Sequence, residues 1–172
     1  WQQVEGFAVA VGPGSYTGLR IGVAAAKAMA FALGVPCAGI STLEGLAWQG
    51  MAHMGLICPV MTARQTLVYA GIYRSSGAAV TCEQADGILE QQELAQQLNA
   101  LGEPVLLVGD GAESVGNLLE QPRVLPVQQL QNGVGICLAA AARGAWIPPE
   151  QLLPSYLQQV KAEKDLQERK AH

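Results

Sequence analysis

A short apolar strand that runs straight into a glycine-rich turn constrains this chain more than any other feature. Phe7-Ala8-Val9-Ala10-Val11 is a near-continuous apolar run, as expected for a strand covered on both faces. Gly12-Pro13-Gly14-Ser15-Tyr16-Thr17-Gly18-Leu19-Arg20-Ile21-Gly22 follows it and opens a helix of small residues that runs to about Leu33. The turn directs backbone N–H groups outward at a helix N-terminus, a geometry suited to anions. Yet the string is neither common phosphate fingerprint. It lacks the Gly-Lys-Ser/Thr end of a P-loop. Gly12, Gly14 and Gly18 also fall at intervals of two and four, not in a G-x-G-x-x-G pattern.

The rest of the first third keeps the same grammar. Ser15 or Thr17 is placed to cap the helix. Gly18, Gly22, Ala26 and Ala30 recur every four residues, a smooth stripe that allows close packing. Gly34 fits the position just past the helix, and Val35-Pro36 stops it. Pro36–Ile40 reads as a second strand. Ser41 or Thr42 caps a helix to about Met51. Strand, helix, strand, helix with right-handed crossovers makes a parallel sheet with helices on its faces. After His53 the order changes. Leu56–Met61 and Leu67–Arg74 read as strands joined by the polar link Thr62–Thr66, and Ser75-Ser76-Gly77 as a turn. Ala79–Cys82 is expected as a short third strand and Leu89–Leu101 as a helix. Pro104–Val108 is a strand ending at Gly109-Asp110-Gly111, with helices over Ala112–Leu119 and Val134–Arg143. Pro148-Pro149 begins an irregular segment, and a charged helix is expected over 157–169.

Composition removes several classes. Half of the 172 residues are hydrophobic and 14% are charged, so the chain is globular. At this length it buries roughly 70% of its unfolded surface. No run reaches the ~18 apolar residues of a membrane span. The net charge of −4 and a basic cluster, Lys161, Lys164, Arg169 and Lys170, interleaved with acids argue for a solvated helix face rather than a grip on nucleic acid. Cys37, Cys58, Cys82 and Cys137 are widely spaced, three of them in apolar runs. They are expected to be buried, reduced thiols of a cytoplasmic protein.

The string Gly12–Gly22, with Ile40-Ser41-Thr42-Leu43-Glu44 downstream, closely resembles the TsaB (YeaZ) family. TsaB is the accessory subunit in bacterial synthesis of threonylcarbamoyladenosine in tRNA. Val68-Tyr69-Ala70-Gly71-Ile72-Tyr73 resembles the family's next strand, and Leu153-Pro154-Ser155-Tyr156-Leu157 its C-terminal Pro-x-Tyr-Leu signature. The resemblance implies an α/β fold of the actin/sugar-kinase/Hsp70-like class with two β/α lobes. Residues 1–50 would be the remainder of the N-terminal lobe and 51–172 the C-terminal lobe. Family members begin with an Asp-Thr strand, two more strands and a helix. None of these is expected here, so either further segments or a neighbouring chain would cover the free edge of Phe7–Val11. One departure stands at Thr62-Ala63-Arg64-Gln65-Thr66. The Ala-Arg is kept, but the acids that usually flank it are replaced by Thr62 and Thr66.

The resemblance further implies a non-catalytic scaffold. Such a chain pairs with a TsaD-like catalytic subunit, joins a TsaE-like ATPase in the assembly, forms homodimers, and meets tRNA only indirectly. The modified base is the adenosine beside the anticodon of ANN-decoding tRNAs. No cofactor, metal or membrane is expected. The docking residues would be Gly12, Pro13, Gly14, Ser15, Tyr16, Thr17, Gly18, Arg20 and Gly22, with Tyr16 an exposed loop aromatic fit for an interface anchor. Arg20 would either lock the loop or face an anion or partner.

The chemistry-bearing residues are few. The imidazoles are His53 and His172. There is no H-E-x-x-H and none of the paired histidines by which the family's catalytic relative holds metal. A metallopeptidase reading is therefore third in order. The second is a nucleotide-binding or phosphotransfer enzyme, in which Gly109, Asp110 and Gly111 would join the Gly12–Gly18 turn around phosphates. The plainer role for Asp110 is to cap the helix after it.

Overall fold

The computed structural model describes residues 1–120 and 130–157. The expected helix over 157–169 lies almost wholly outside them. Strand β1 (Phe7–Gly12) leads through the glycine turn into helix α1 (Tyr16–Leu33), and β2 (Cys37–Ser41) leads into α2 (Thr42–Gln49). Then come β3 (Gly55–Arg64), β4 (Leu67–Ser75) and β5 (Val80–Glu90), α3 (Gln91–Ala100), β6 (Val105–Val108), α4 (Ala112–Gly116) and α5 (Gly133–Arg143). A 3-10 turn, Pro149–Gln151, closes the described chain.

Local chemistry sets the ends of the first two helices. Ser15 Oγ accepts from the Gly18 N–H at 3.3 Å, and Gly34 at φ 66° takes the left-handed conformation that ends α1. Ser41 Oγ accepts from the Leu43 and Glu44 N–H groups and starts α2.

Two sheets result. β1 and β2 pair in parallel, with Phe7 opposite Cys37 and Ala10 opposite Ile40. The second sheet has the order β5-β4-β3-β6, antiparallel except for the parallel β3/β6 pair. Cores between them define five layers. Phe7, Val9 and Val11 face α1 through Val23 and Ala30, with Leu152 of the C-terminal segment. Ala8 and Ala10, on the opposite side of β1, face Trp48 of α2 and Ile136, Ala139 and Ala140 of α5. Leu43, Leu46 and Ala47 of α2 meet Ile57, Tyr73, Leu106 and Val108 of the second sheet. The far face of that sheet is covered by Leu94 and Leu98 of α3 and Val115 of α4. Helix α2 is thus held between two sheets, and Thr42 through Trp48 are all buried. It also approaches α5 closely, since a Cβ on Gly135 would collide with the Gly45 carbonyl.

Several expectations need correction. The short strand at Ala79–Cys82 is an eleven-residue strand reaching Glu90. Its Glu83, Gln84 and Asp86 lack an apolar pattern because β5 is the outer strand of its sheet, wet on one side. Helix α3 accordingly starts at Gln91, not Leu89. The link at Thr62–Thr66 shrinks to a tight hairpin at Gln65-Thr66, with Gln65 at φ 54°. Cys37 and Cys58 are buried, but Cys82 and Cys137 are exposed.

Candidate docking surface around the glycine turn

The glycine turn is built against the C-terminal segment. Gly12 has φ 136°, and any Cβ there would collide with the Ser155 carbonyl. Glycine is therefore required twice at this position, by conformation and by space. The Ser155 N–H donates to the Val11 carbonyl at 2.7 Å. Lys27 of α1 donates to the Leu152 carbonyl at 3.0 Å and to the Glu150 carbonyl at 3.2 Å. Leu152 is buried beneath α1 and β1. Ile147 pairs with Cys37 at the edge of β2. Residues 147–156 thus form a strap across the first sheet and the start of α1.

At the top of this strap the Tyr156 ring stacks on Tyr16, with centroids 5.1 Å apart and planes at 29°. The Tyr16 hydroxyl accepts from an Arg20 guanidinium nitrogen at 2.6 Å, and the guanidinium carbon lies 5.3 Å from the Tyr16 ring centre. Tyr16 is 47% exposed. It is the first residue of α1 rather than a loop residue. Arg20 locks onto Tyr16, one helical turn away, and among the described residues it meets no carboxylate.

The outward face of α1 continues from this cluster. Ile21, Ala25, Ala28 and Ala32 follow helical spacing and are all exposed, Ile21 at 65%. Phe31 is 59% exposed on one flank. The small-residue stripe behaves differently from its sequence pattern. A strict four-residue step drifts ~40° per repeat around a 3.6-residue helix. Gly18 is therefore in solvent, Gly22 faces Val9, and Ala26 and Ala30 are in the core.

A second polar group joins the layers at the N-terminus of α2. Ser41 Oγ and the Tyr73 hydroxyl both donate to Asp86, Tyr73 at 2.7 Å. Glu44 Oε1 meets Arg143 Nε of α5 at 3.0 Å, while Glu44 Oε2 is buried without a partner. Burial raises the Glu44 pKa, Arg143 opposes that rise, and Asp86 adds to it. Burial also pushes the Tyr73 hydroxyl well above the usual tyrosine range, with Asp86 helping. Sequence reading missed this network, because Asp86 and Tyr73 carry no local signal that they meet α2.

The Gly109-Asp110-Gly111 turn has a structural task. Asp110 Oδ1 accepts from the Thr62 N–H at 3.0 Å, and the Gly111 N–H donates to the Val60 carbonyl at 3.1 Å. The expected cap on α4 is not made: Gly111 is the N-cap and receives no side-chain bond. Gly109, at φ 102°, lies where a Cβ would strike Val60. His53 ends the turn after α2, its N–H donating to Gly50. Burial pushes the Cys58 thiol up to about 12, so it remains a neutral core side chain. Among the described residues no group of three or more His, Cys, Asp or Glu side chains is placed to hold a metal ion, and no helix is long and apolar enough to cross a membrane.

Comparison with known proteins agrees with the signature residues. Residues 1–122 match the family model described as TsaD: tRNA N6-adenosine threonylcarbamoyltransferase. The chain is 38% identical over 108 residues to the tRNA threonylcarbamoyladenosine biosynthesis protein TsaB of Bacillus subtilis (strain 168), which covers 63% of this chain and 47% of that protein. It is 26% identical over 173 residues to the TsaB of Escherichia coli (strain K12), covering 95% of this chain and 74% of that protein. The structure of YeaZ from Pseudomonas aeruginosa superposes with a TM-score of 0.75 at 28% identity, over 91% of this chain and 76% of that one. The chain spans about half the length of the Bacillus and Buchnera TsaB proteins it matches, 47% and 51%. With the family model spanning residues 1–122 of the 172, the chain belongs to the TsaD-related family that this model describes, and within it the chain is similar to the TsaB (YeaZ) proteins.

Proposed function

We propose that this chain serves the synthesis of threonylcarbamoyladenosine in tRNA as a non-catalytic subunit. It docks a TsaD-type catalytic subunit through α1 and the glycine turn. The observation that carries this reading is the outward face of α1. An eighteen-residue helix shows water a row of Ile21, Ala25, Ala28 and Ala32, with Phe31 and Met29 beside it. A helix on the surface of a self-sufficient domain presents polar residues there. Small residues at the centre of the row let a second helix approach closely, and the tyrosine–arginine cluster at its N-terminal end is the residue chemistry of interface anchors.

In this reading the chain holds no cofactor or metal. Its influence on the reaction is to stabilise the catalytic subunit and shape its cleft. A TsaE-type ATPase joins the assembly, tRNA is met only through it, and the same face of α1 supports a homodimer when the catalytic subunit is absent. The site of action is the cytoplasm. The five layers support two stacked lobes of the actin/sugar-kinase/Hsp70-like class. We divide the strands at residues 50 and 51, with α5 and the strap returning to the first sheet. A nucleotide site at the 12–18 and 109–111 turns has no support from the geometry, since Ser15 caps its own helix and Asp110 is engaged by Thr62.

The test is a titration of the chain with its TsaD-type subunit. Ile21→Asp places a charge in the middle of the exposed row, where the fold does not need the side chain. Binding and threonylcarbamoyl transfer are expected to fall together while the melting temperature holds. Native affinity for this variant would refute docking through α1.

A further inference from the structure

We infer that Tyr156 of the C-terminal strap is a positioning residue for the docking surface, holding Tyr16 and Arg20 toward a partner helix that is apolar and carries a carboxylate; this rests on the docking reading above. The strap is fixed independently of its tyrosine. The Ser155 N–H on Val11 and Lys27 on the Leu152 carbonyl anchor the backbone on either side of Pro154. Tyr156 therefore adds little to holding the strap down. What it adds is a wall: it stacks on one face of Tyr16 and leaves Tyr16 a narrow range of orientations. Tyr16 in turn accepts from Arg20. An aromatic that is already ordered before binding loses less entropy on binding.

Charge decides the occupant. Arg20 is exposed, donates to a phenol, and has no carboxylate partner among the described residues. Lys27, the other cation of α1, is turned onto backbone carbonyls. The face is therefore an apolar row ending in one unneutralised guanidinium. Its complement is an apolar helix with a single acid at the matching end, not the evenly anionic backbone of RNA, which calls for several cations. The strap makes this surface composite, drawn from both ends of the chain.

The experiment is a titration of the full chain with its TsaD-type subunit, using Tyr156→Ala, Tyr156→Phe, Tyr16→Ala and the Tyr16→Ala/Tyr156→Ala double variant. Loss of the stacked ring is expected to weaken binding about 3- to 10-fold. Tyr156→Phe should restore native affinity, and the double variant should bind no more weakly than Tyr16→Ala alone, because Tyr156 acts through Tyr16. A merely structural role would shift the melting temperature without producing this non-additivity. If Tyr156→Ala melts early, Tyr156→Leu supplies apolar bulk without a stacking ring and is expected to show the same loss. Arg20→Gln should weaken binding and flatten its salt dependence.

Native affinity for both Tyr156→Ala and Tyr156→Leu, beside lost binding for Ile21→Asp, overturns the positioning role and leaves the docking reading intact. Fully additive losses for Tyr16 and Tyr156 overturn it too. Native affinity for Ile21→Asp means that the docking reading itself has failed. Unchanged salt dependence in Arg20→Gln, or Arg20-dependent binding of free tRNA, overturns the carboxylate as the group Arg20 meets.

Discussion

Glu44 is a carboxylate held inside the protein with one oxygen on Arg143 and the other on nothing. Its pKa is raised in the folded state, so the folded chain favours the protonated form more than the unfolded chain does. Stability is then highest below the ordinary glutamate pKa and declines as pH rises from there through the raised value. Glu44→Gln is expected to match or exceed native stability at pH 8, with the difference from native closing by pH 4. Urea melts at the two pH values check it. Arg143→Ala leaves the buried charge unpaired and should cost about 1 kcal/mol at pH 8, since Arg143 itself is half-exposed. The glycines of α1 separate in the same way. Gly22 faces Val9 Cγ2 at 3.7 Å from where a Cβ would sit, so alanine fits, but Gly22→Leu overfills the seam at a cost of ~1–3 kcal/mol. Gly18 stands in solvent, and Gly18→Ala should be stabilising by ~0.5–1 kcal/mol through helix propensity. Thermal melts of the two variants should move in opposite directions.

At the scale of elements, β1 is the informative one. Among the described residues it has one strand neighbour, β2. The Phe7 N–H donates to the Pro36 carbonyl, so Phe7 and Val9 point their backbone groups toward β2 while Ala8 and Ala10 point theirs away. Hydrogen exchange on the chain alone should find the Ala8 and Ala10 amides exchanging faster than the Val9 amide, although the side chains of all three are packed. Equal protection at the three positions would show that something covers this edge. The contrast with β3 is physical. β3 is bonded on both sides, by β4 and β6, and Leu56 through Val60 are fully buried. Its amides should mark the slow-exchanging core.

Across the whole molecule, α2 couples the two sheets. Its apolar residues serve the second sheet on one side and Trp48 serves the first on the other. The Ser41–Asp86–Tyr73 bonds tie its N-terminus to β5 and β4 of the second sheet. Asp86→Ala leaves the buried Tyr73 hydroxyl without an acceptor and is expected to cost ~1–3 kcal/mol. Tyr73→Phe in the same chain removes the orphaned hydroxyl, so the double variant should lose less than the sum of the two single changes. A double-mutant cycle in urea measures this, and strict additivity would mean that the Tyr73 hydroxyl does not depend on Asp86, the carboxylate that Ser41 reaches from the first sheet.

How far the sequence alone reached follows from the range of each interaction. Runs such as Phe7–Val11 and Leu56–Met61 announce buried strands, and Ser15, Gly34 and Ser41 announce helix ends, because these effects act over four residues or fewer. The signature strings located the family. The polar outer strand β5 escaped, since solvent on one face removes the apolar pattern that marks a strand. The pairing of Tyr16 with Tyr156, the turning-in of Lys27 and the meeting of Glu44 with Arg143 escaped as well. Each joins residues far apart in the chain, and each depends on where two layers of the fold bring their edges together. The chain's own order of residues determined which strands, helices and caps form. The tertiary packing decided which side of α1 is left in water, which carboxylate is buried, and that the strap completes the glycine turn, because burial and long-range contact exist only once the layers have stacked.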